Sequence, residues 1–259
     1  MKDYIDVQNL LGEGIVFCQN LQKLVWVDIL QKKSFEYCPL TEKLDTFEHD
    51  FQASFAAEYE DSYILISSIG IFKKKQRSGN FSMIKGLNIN RNLRTNDGRI
   101  DHKGELWFST MDQKNNIKGE IFKLSNFPEP VFKKILIPNS ICFCKNTLRG
   151  YFSDSATKKL YSFSQEDMSK ELFYTFKSGE PDGAIVDFEA NIHVAIWGVG
   201  EIAVLSKKGN KIDTIKTPFR HPTCIAPFKL NETKFIAVTS ALVEGDGGDI
   251  WITKTSYNF

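Results

Sequence analysis

Six short apolar segments recur along the chain at a nearly constant spacing. Polar turn residues precede each segment, and a second turn and another apolar run follow it, so each reads as one strand of a repeating unit. One apolar reference position can be taken in each segment: Trp26, Ile66, Phe108, Phe152, Val194 and Val238. Their separations of 40, 42, 44, 42 and 44 residues constrain the fold more than any single motif does.

Each repeat predicts several strands joined by short turns. The stretch GIVF precedes the turn CQNLQ, which leads into the segment KLVWVD, and runs such as GEIFKL supply a further strand. No amphipathic pattern with a period of 3.6 residues interrupts these strands. The stretch Asp167–Phe176 ends in residues that favour β-structure, so it is predicted to be an outer strand.

Strand units of about 40–45 residues repeated around an axis are typical of β-propellers. The sequence therefore predicts an all-β fold, a six-bladed β-propeller of four-stranded antiparallel blades around a central channel, with residues 1–259 as a single domain. A large β-sandwich is the alternative, but it would not require equal spacing. Because an open ring would leave a strand edge unpaired, we expect an N-terminal strand of about residues 3–9 to close the last blade.

Composition limits the partners that the chain can have. Its 33 Lys and Arg residues nearly balance its 32 Asp and Glu residues, so no strong field favours nucleic acid or a membrane surface. No segment reaches the roughly 20 apolar residues of a membrane span, and charges interrupt the N-terminal stretch where a signal peptide would be apolar. The short basic run Lys73–Arg77 is predicted to be a solvated hairpin end.

Five cysteines without a CxxC pair fit a reducing compartment, so we expect a cytoplasmic protein. The expected partner is a small molecule, without nucleic acid or membrane. The expected assembly state is a monomer or a weak dimer.

The start of the first strand of each predicted blade faces the channel mouth. Counting back 12 or 13 residues from the reference positions finds oxygen-bearing side chains in four of the six repeats: Glu13, Asn96, Asn139 and Asp182. Carboxylate and amide oxygens suit a hard divalent cation, whereas closed zinc sites favour Cys and His. Any one of these motifs alone could be a turn. Four at matching positions favour a binding site.

Four long stretches resemble the senescence marker protein-30 / gluconolactonase / regucalcin-like family (SMP-30/gluconolactonase/LRE-like). They are LGEGIVFCQNLQKLVWVDI, NDGRIDHKGELWFSTM, IPNSICFCKNTLRGYFSDSATKKLYSF and EPDGAIVDFEANIHVAIWGVG, the last followed by HPTCIA. Each motif is modest alone, but their order and spacing are specific and cover nearly the whole chain. The resemblance implies a six-bladed propeller with one divalent metal ion in its channel, and hydrolysis of sugar lactones to aldonic acids.

The resemblance also implies roles for individual residues. The metal ligands of the family correspond to Glu13, Asn139 and Asp182, and its substrate-contacting arginine and asparagine correspond to Arg94 and Asn96. Ca²⁺ is the first candidate for the metal, and Zn²⁺, Mg²⁺ and Mn²⁺ are the alternatives found across the family.

Three positions depart from the family pattern. Ile15 stands where the family has proline, and Ser140 stands where it has glycine, although neither change alters a ligand. Lys114 stands near the position of a glutamate that lies close to the sugar in some animal members. The identity of the preferred sugar lactone is therefore left open.

A lactone is an activated ester, so the expected mechanism is attack by water on a carbonyl that the metal polarises. Asp182 is the candidate base, because a carboxylate that binds a metal through one oxygen keeps the other for a proton. Arg94 and Asn96 would orient sugar hydroxyls. Asp97 is expected to cap a turn, and three further polar residues are expected to be structural: Asp154, Ser155 and His193.

Other functions remain open at this stage. A calcium-binding regulatory protein of the regucalcin type would use the same ligands, and a metal-dependent esterase or phosphotriesterase would use the same chemistry. A scaffold that only binds partners gives no reason for four oxygen donors at matching positions. Turnover on a panel of lactones separates the enzyme from the regulatory protein.

Overall fold

The computed structural model describes residues 2–75, 79–114 and 116–259. Over these residues the regular structure is 24 strands in six four-stranded antiparallel sheets, with one short 3-10 helix at Ser155–Thr157. The sheets are the blades of a six-bladed β-propeller, so the predicted fold class is confirmed. None of the described residues belongs to a helix long and apolar enough to cross a membrane.

The chain forms two compact units. The first consists of the residues up to Thr95 together with Cys224–Ser256, and the second consists of Asn96–Thr223 together with Tyr257–Phe259. Counted along the chain, blades one, two and six belong to the first unit and blades three, four and five to the second. Two pairs of strand residues fall in the other unit: the first two residues of Arg94–Ile100 in blade three, and the first two residues of Pro222–Leu230 in blade six.

The blades of the first unit are built from twelve strands. Blade one has Gly12–Cys18, Lys23–Asp28, Lys33–Cys38 and Lys43–Glu48 (β2–β5). Blade two has Ala53–Tyr59, Ser62–Ser67, Gly70–Lys74 and Phe81–Gly86 (β6–β9). Blade six has Tyr4–Ile5 (β1) with Pro222–Leu230, Thr233–Ser240 and Ile250–Lys254 (β22–β24).

The blades of the second unit follow the same pattern. Blade three has Arg94–Ile100, Leu106–Met111, Gly119–Leu124 and Pro128–Ile135 (β10–β13). Blade four has Pro138–Cys144, Arg149–Asp154, Lys159–Ser164 and Lys170–Thr175 (β14–β17). Blade five has Glu180–Val186, Ile192–Trp197, Glu201–Leu205 and Lys211–Lys216 (β18–β21). The outer strand predicted within Asp167–Phe176 is confirmed as β17.

The second strand of every blade is buried, which explains the repeat. All six reference positions lie in these strands, and none exposes more than 1% of its surface. An outer strand such as β5 instead mixes exposed with half-buried residues. A strand covered on both faces reads as a continuous apolar run, so the second strands carry the clearest sequence signal.

Apolar clusters fill the space between neighbouring blades within each unit. In the first unit the rings of Phe17 and Phe228 stack with their centroids 5.3 Å apart. In the second unit the ring of Trp107 lies 5.3 Å from Phe143 and 5.6 Å from Phe163. Each aromatic side chain removes a large area from water, so the 21 phenylalanines of the chain supply much of this core.

The N-terminal strand β1 pairs with β24 as the outer strand of blade six. Tyr4 lies opposite Trp251 and Ile5 lies opposite Ile250, so the strand covers two residues of the expected segment. The carbonyl of Asp3 accepts the N–H of Ile252 at 2.8 Å. Ile5 exposes 6% of its surface and belongs to the apolar cluster of blades six and one.

The basic run at the end of β8 is only partly on the surface. Lys74 exposes 13% of its side chain, and its ammonium group pairs with the carboxylate of Glu36, which is 1% exposed. Lys23 pairs with the same carboxylate at 2.7 Å, and Tyr63 donates to it at 2.9 Å. The prediction of a solvated hairpin end is wrong for Lys74, because a buried carboxylate requires a paired cation. Gln76 and Arg77 lie outside the described residues.

Candidate functional site

Three of the candidate residues lie near the starts of the first strands of blades three, four and five. Asn96 is the third residue of β10, Asn139 is the second residue of β14, and Asp182 is the third residue of β18. Their exposed fractions are 7%, 6% and 8%. The repeat therefore places amide and carboxylate oxygens at one end of three successive first strands.

The side chains of Asn96 and Asn139 are hydrogen-bonded to each other. Asn96 Nδ2 donates to Asn139 Oδ1 at 2.8 Å and to the carbonyl of Pro138 at 3.1 Å. Asn139 Nδ2 donates to Ser155 Oγ at 3.1 Å. These contacts fix the plane of the Asn139 amide, and a carbonyl oxygen of this kind has a second lone pair that can bind a cation.

A β-bulge presents Asn139. The register between β14 and β15 shifts between Asn139 and Cys142. Within the bulge, Ser140 has a φ of 58°, a left-handed conformation that is uncommon for a residue with a side chain. Bulges re-aim neighbouring side chains and are frequent beside active sites.

Asp182 lies in a second register shift, between Pro181 and Ala184 of β18. Two serines of blade four donate to the backbone there. Ser140 Oγ donates to the carbonyl of Asp182, and Ser155 Oγ donates to the carbonyl of Pro181 at 2.6 Å. The backbone that carries Asp182 is therefore tied to the segment that carries Asn139.

Asp97 does not cap a turn, contrary to the expectation from the sequence. It lies inside β10, and its carboxylate accepts the N–H of Ile141 at 2.6 Å and the N–H of Gly98 at 2.7 Å. Burial raises the pKa of Asp97 to about 6, although the positive charge of Arg99 and both N–H groups act in the opposite direction. Asn-Asp-Gly is typical of turns, but here the short carboxylate reaches the backbone of the next blade.

His193 and Asp154, which were expected to be structural, make structural contacts. His193 is buried, with Nε2 2.9 Å from an oxygen of Asp187, and its ring packs against Tyr257 and Phe259. The carboxylate of Asp154 accepts backbone N–H groups of the segment before β14. Ser155 differs, because its hydroxyl contacts the Asn139 amide directly.

The remaining two candidates belong to the first unit. Glu13 is the second residue of β2 and exposes 9% of its surface, and its Oε2 accepts the N–H of Gly14 at 3.1 Å. Gly14 has a φ of 55°, and a Cβ at this position would lie 2.2 Å from Phe55 Cα. Arg94 is the first residue of β10, and its Nη1 donates to the carbonyl of Thr95 at 2.9 Å. Glu13 and Asn139 thus share one local pattern, because each is followed directly by a residue with positive φ.

The connection between β11 and β12 contains Lys114, which is exposed. Asp112 fixes the start of this connection: its carboxylate accepts the N–H groups of Lys114 and Asn116 at 3.0 Å and that of Ile117 at 3.1 Å. In blade one, Asp28 ends the second strand and accepts backbone N–H groups in the same way.

The donor atoms of the site fit a hard cation better than a soft one. Among the described residues, no three His, Cys, Asp or Glu side chains are grouped so that they could hold a metal ion. A metal site would therefore need the oriented amide oxygen of Asn139 beside the buried carboxylate of Asp182. Amide and carboxylate oxygens are the donors that Ca²⁺ and Mg²⁺ take, and a buried carboxylate is costly without an opposite charge.

Sequence reasoning missed the roles of Ser140 and Ser155. The family resemblance marked Ser140 as standing where glycine is expected, but the sequence does not show the contact of its hydroxyl with the backbone of Asp182. The role of Ser155 depends on a partner 16 residues away, and no local pattern reveals it.

The chain is similar to a family model, to curated proteins and to solved structures, and these similarities agree with one another. A family model described as SMP-30/Gluconolactonase/LRE-like region matches residues 11–241. L-arabinolactonase from Azospirillum brasilense is 27% identical, with 92% of this chain and 83% of that protein covered. 6-deoxy-6-sulfogluconolactonase from Pseudomonas putida is 24% identical, with coverage of 93% and 87%. The crystal structure of a calcium-binding protein, regucalcin, from Agrobacterium tumefaciens superposes with a TM-score of 0.90 at 27% identity, covering 97% of this chain and 92% of that one.

Proposed function

Because the chain belongs to the SMP-30/gluconolactonase/LRE-like family, we propose that it hydrolyses a sugar lactone to the corresponding aldonic acid with the help of one divalent metal ion. One observation carries the proposal. The Asn139 amide, fixed by Asn96 and Ser155, and the buried Asp182 lie on two backbone segments that hydrogen bonds tie together. Such an arrangement of oxygen donors supports a metal-assisted hydrolase.

We infer that Glu13, Asn139 and Asp182 hold the metal. Ca²⁺ is the first candidate, because all three donors are oxygens, and Zn²⁺, Mg²⁺ and Mn²⁺ are the alternatives. When bound, such an ion would supply Lewis-acid polarisation of the lactone carbonyl and a lower pKa for water.

The side chains of the site then have separate tasks. Asp182 takes the proton of the attacking water, whose oxygen adds to the carbonyl carbon. The ring C–O bond breaks, and Asp182 returns the proton to the departing ring oxygen, which becomes a hydroxyl, so that the aldonic acid forms. Asn96 keeps the Asn139 amide oriented. Arg94 and Asn96 are the residues proposed to orient sugar hydroxyls.

The substrate class rests on the named relatives. One is named for L-arabinolactone and another for a sulfonated gluconolactone, so we propose a small sugar lactone without choosing among them. We also propose a cytoplasmic protein, since all five cysteines are unpaired thiols, and a monomer or weak dimer.

Hydrolysis by the Asp182→Ala variant tests the proposal. We expect at least a ~10³-fold loss of kcat/KM on a panel of sugar lactones, measured by pH-stat after chelation and refilling with single metals. The exposed Asp167→Ala is the matched control and should keep wild-type activity. Full lactone turnover by Asp182→Ala, with an unchanged circular dichroism spectrum, would exclude the assignment.

The similarity to a structure described as calcium-binding regucalcin favours a second candidate, a Ca²⁺-binding regulatory protein that uses the same residues. This protein would bind Ca²⁺ but hydrolyse none of the lactones. An esterase or phosphotriesterase would instead turn over aryl esters or phosphotriesters in the same assay, because the same ion can polarise C=O or P=O.

A further inference from the structure

Ser140 occupies a backbone conformation that suits glycine. Its φ of 58° lies in the left-handed region, where a Cβ is unfavourable, and its side chain is completely buried. A strained, buried residue persists when surrounding contacts compensate for it. The contacts of its hydroxyl therefore explain why a serine can stand there.

The hydroxyl of Ser140 connects blade four to blade five. It donates to the carbonyl of Asp182 and lies 2.8 Å from Ser153 Oγ. Because the proton of Ser140 goes to Asp182, Ser153 Oγ is the donor in this contact, and Ser153 Oγ also lies 3.3 Å from the carbonyl of Pro181. The bulge that follows Asn139 is thereby attached to the bulge that contains Asp182.

A second connection runs in parallel through the side chain of Asn139. Its Nδ2 donates to Ser155 Oγ at 3.1 Å, and Ser155 Oγ donates to the carbonyl of Pro181 at 2.6 Å. On its other side, Asn139 Oδ1 accepts from Asn96 at 2.8 Å. Asn139 and the backbone of Asp182 thus belong to one hydrogen-bonded network.

We propose that Ser140 is a positioning residue, whose hydroxyl fixes the spacing between Asn139 and Asp182 and so preorganises two oxygen donors for a divalent cation. The inference rests on the proposed function of the site. Residues that orient metal ligands typically change metal affinity by 10–100-fold when they are replaced. Ser140 acts through the backbone of Asp182 and does not itself contact the ion or the substrate.

Two substitutions separate the hydroxyl from the backbone strain. Ser140→Gly removes the hydroxyl and the strain, whereas Ser140→Ala removes the hydroxyl and keeps the strain. We expect both variants to bind Ca²⁺ about tenfold more weakly than wild type in isothermal titration calorimetry. We expect the melting temperature of Ser140→Gly to exceed that of Ser140→Ala. A purely structural role for the residue predicts instead that Ser140→Gly recovers wild-type affinity.

Ser62→Ala is the matched control, because Ser62 is also buried and its hydroxyl donates to a backbone carbonyl, that of Lys74, at 3.2 Å. It should leave the Ca²⁺ affinity unchanged. A wild-type affinity in Ser140→Gly would overturn the inference while leaving the proposed function intact.

A metal-free measurement keeps the inference independent of the reaction. In the chelated wild-type protein, the side-chain amide protons of Asn139 should exchange slowly with solvent by NMR. In Ser140→Gly they should exchange faster, because the released Pro181–Asp182 backbone also holds Ser155, which accepts from the Asn139 amide. Equal exchange in both proteins would contradict a positioning role. Wild-type protein that neither binds Ca²⁺ nor hydrolyses lactones would refute the proposed function, and the exchange data would still decide whether Ser140 holds Asn139.

Discussion

Asn96 and Asp97 are adjacent in sequence, yet their side chains hold different parts of the same neighbouring segment. The amide of Asn96 holds the side chain of Asn139, while the carboxylate of Asp97 holds the backbone N–H of Ile141. The two contacts flank Ser140 on both sides. The left-handed backbone of Ser140 is therefore held from blade three as well as from blade five.

The positions of site residues were predictable where they recur at the same place in each repeat. They were not predictable where a residue's role depends on a contact with the neighbouring blade. Asn139 and Asp182 follow from counting within each repeat, because the first strands of blades one to five start 13 or 14 residues before the buried reference position. The role of Asp97 does not follow, since its partner Ile141 lies 44 residues away and Asn-Asp-Gly has the composition of a turn.

His49 provides a pH-dependent test at this scale. Burial lowers its pKa from 6.5 to about 4, although the nearby charge of Asp50 acts in the opposite direction. The folded protein keeps the imidazole neutral, while the unfolded chain takes up a proton below about pH 6.5. The stability that His49 contributes is thus complete above pH 6.5 and falls as the pH drops towards 4.

We expect His49 to account for a loss of about 1 kcal/mol in the free energy of unfolding between pH 7 and pH 5, since partial exposure of the ring screens the full effect. In urea denaturation, His49→Gln, which can still donate to Ser34 Oγ, should lose less stability over this range than wild type. The exposed His102→Gln is the control and should match wild type. Equal losses in all three proteins would rule out a buried neutral imidazole.

At the scale of elements, the first and second strands of a blade differ in what their sequences reveal. The second strands are buried on both faces, so their apolar runs predicted the blades. The bulges of β14 and β18 are set by register against the next strand, and residues such as Ser140 look no different from turn residues. The strands were therefore predictable, and the bulges that present the site were not.

Removal of the N-terminal strand β1 tests how much one strand contributes to the stability of its blade. Deletion of residues 2–8 should lower the free energy of unfolding by about 2–4 kcal/mol, because it removes the buried Ile5 side chain and exposes the edge of β24. Thermal and urea denaturation would measure the change. Tyr4→Ala alters an exposed side chain of the same strand and should cost less than about 1 kcal/mol. An unchanged melting temperature after the deletion would show that β1 adds nothing to blade six.

At the scale of the whole molecule, the number of blades was predictable because each blade repeats one buried strand. The single domain predicted over residues 1–259 stays a prediction, since the chain forms two compact units that each bring together three blades. The near-balance of 33 Lys and Arg residues with 32 Asp and Glu residues gives the chain no strong overall electrostatic field.

Metal removal tests the proposed site through the stability of the whole chain. A ligand that binds only the folded state at 100 times its Kd stabilises that state by about 2.7 kcal/mol. Addition of a chelator to Ca²⁺-saturated wild-type protein should therefore lower its melting temperature by several degrees, measured by calorimetry. Asp182→Ala should show no such shift. An identical shift in both proteins would mean that the stabilising ion binds elsewhere.

The carboxylate of Asp112 accepts three backbone N–H groups of the connection that follows β11, so these contacts do not depend on the identity of the side chains that the same residues carry. The backbone contacts of Asp112 and the side chains of the connection can therefore change independently in evolution. Descendants of this chain can exchange Lys114 for other residues while the blade beneath keeps its form. This connection is therefore a place where the sequence can vary at little cost to folding.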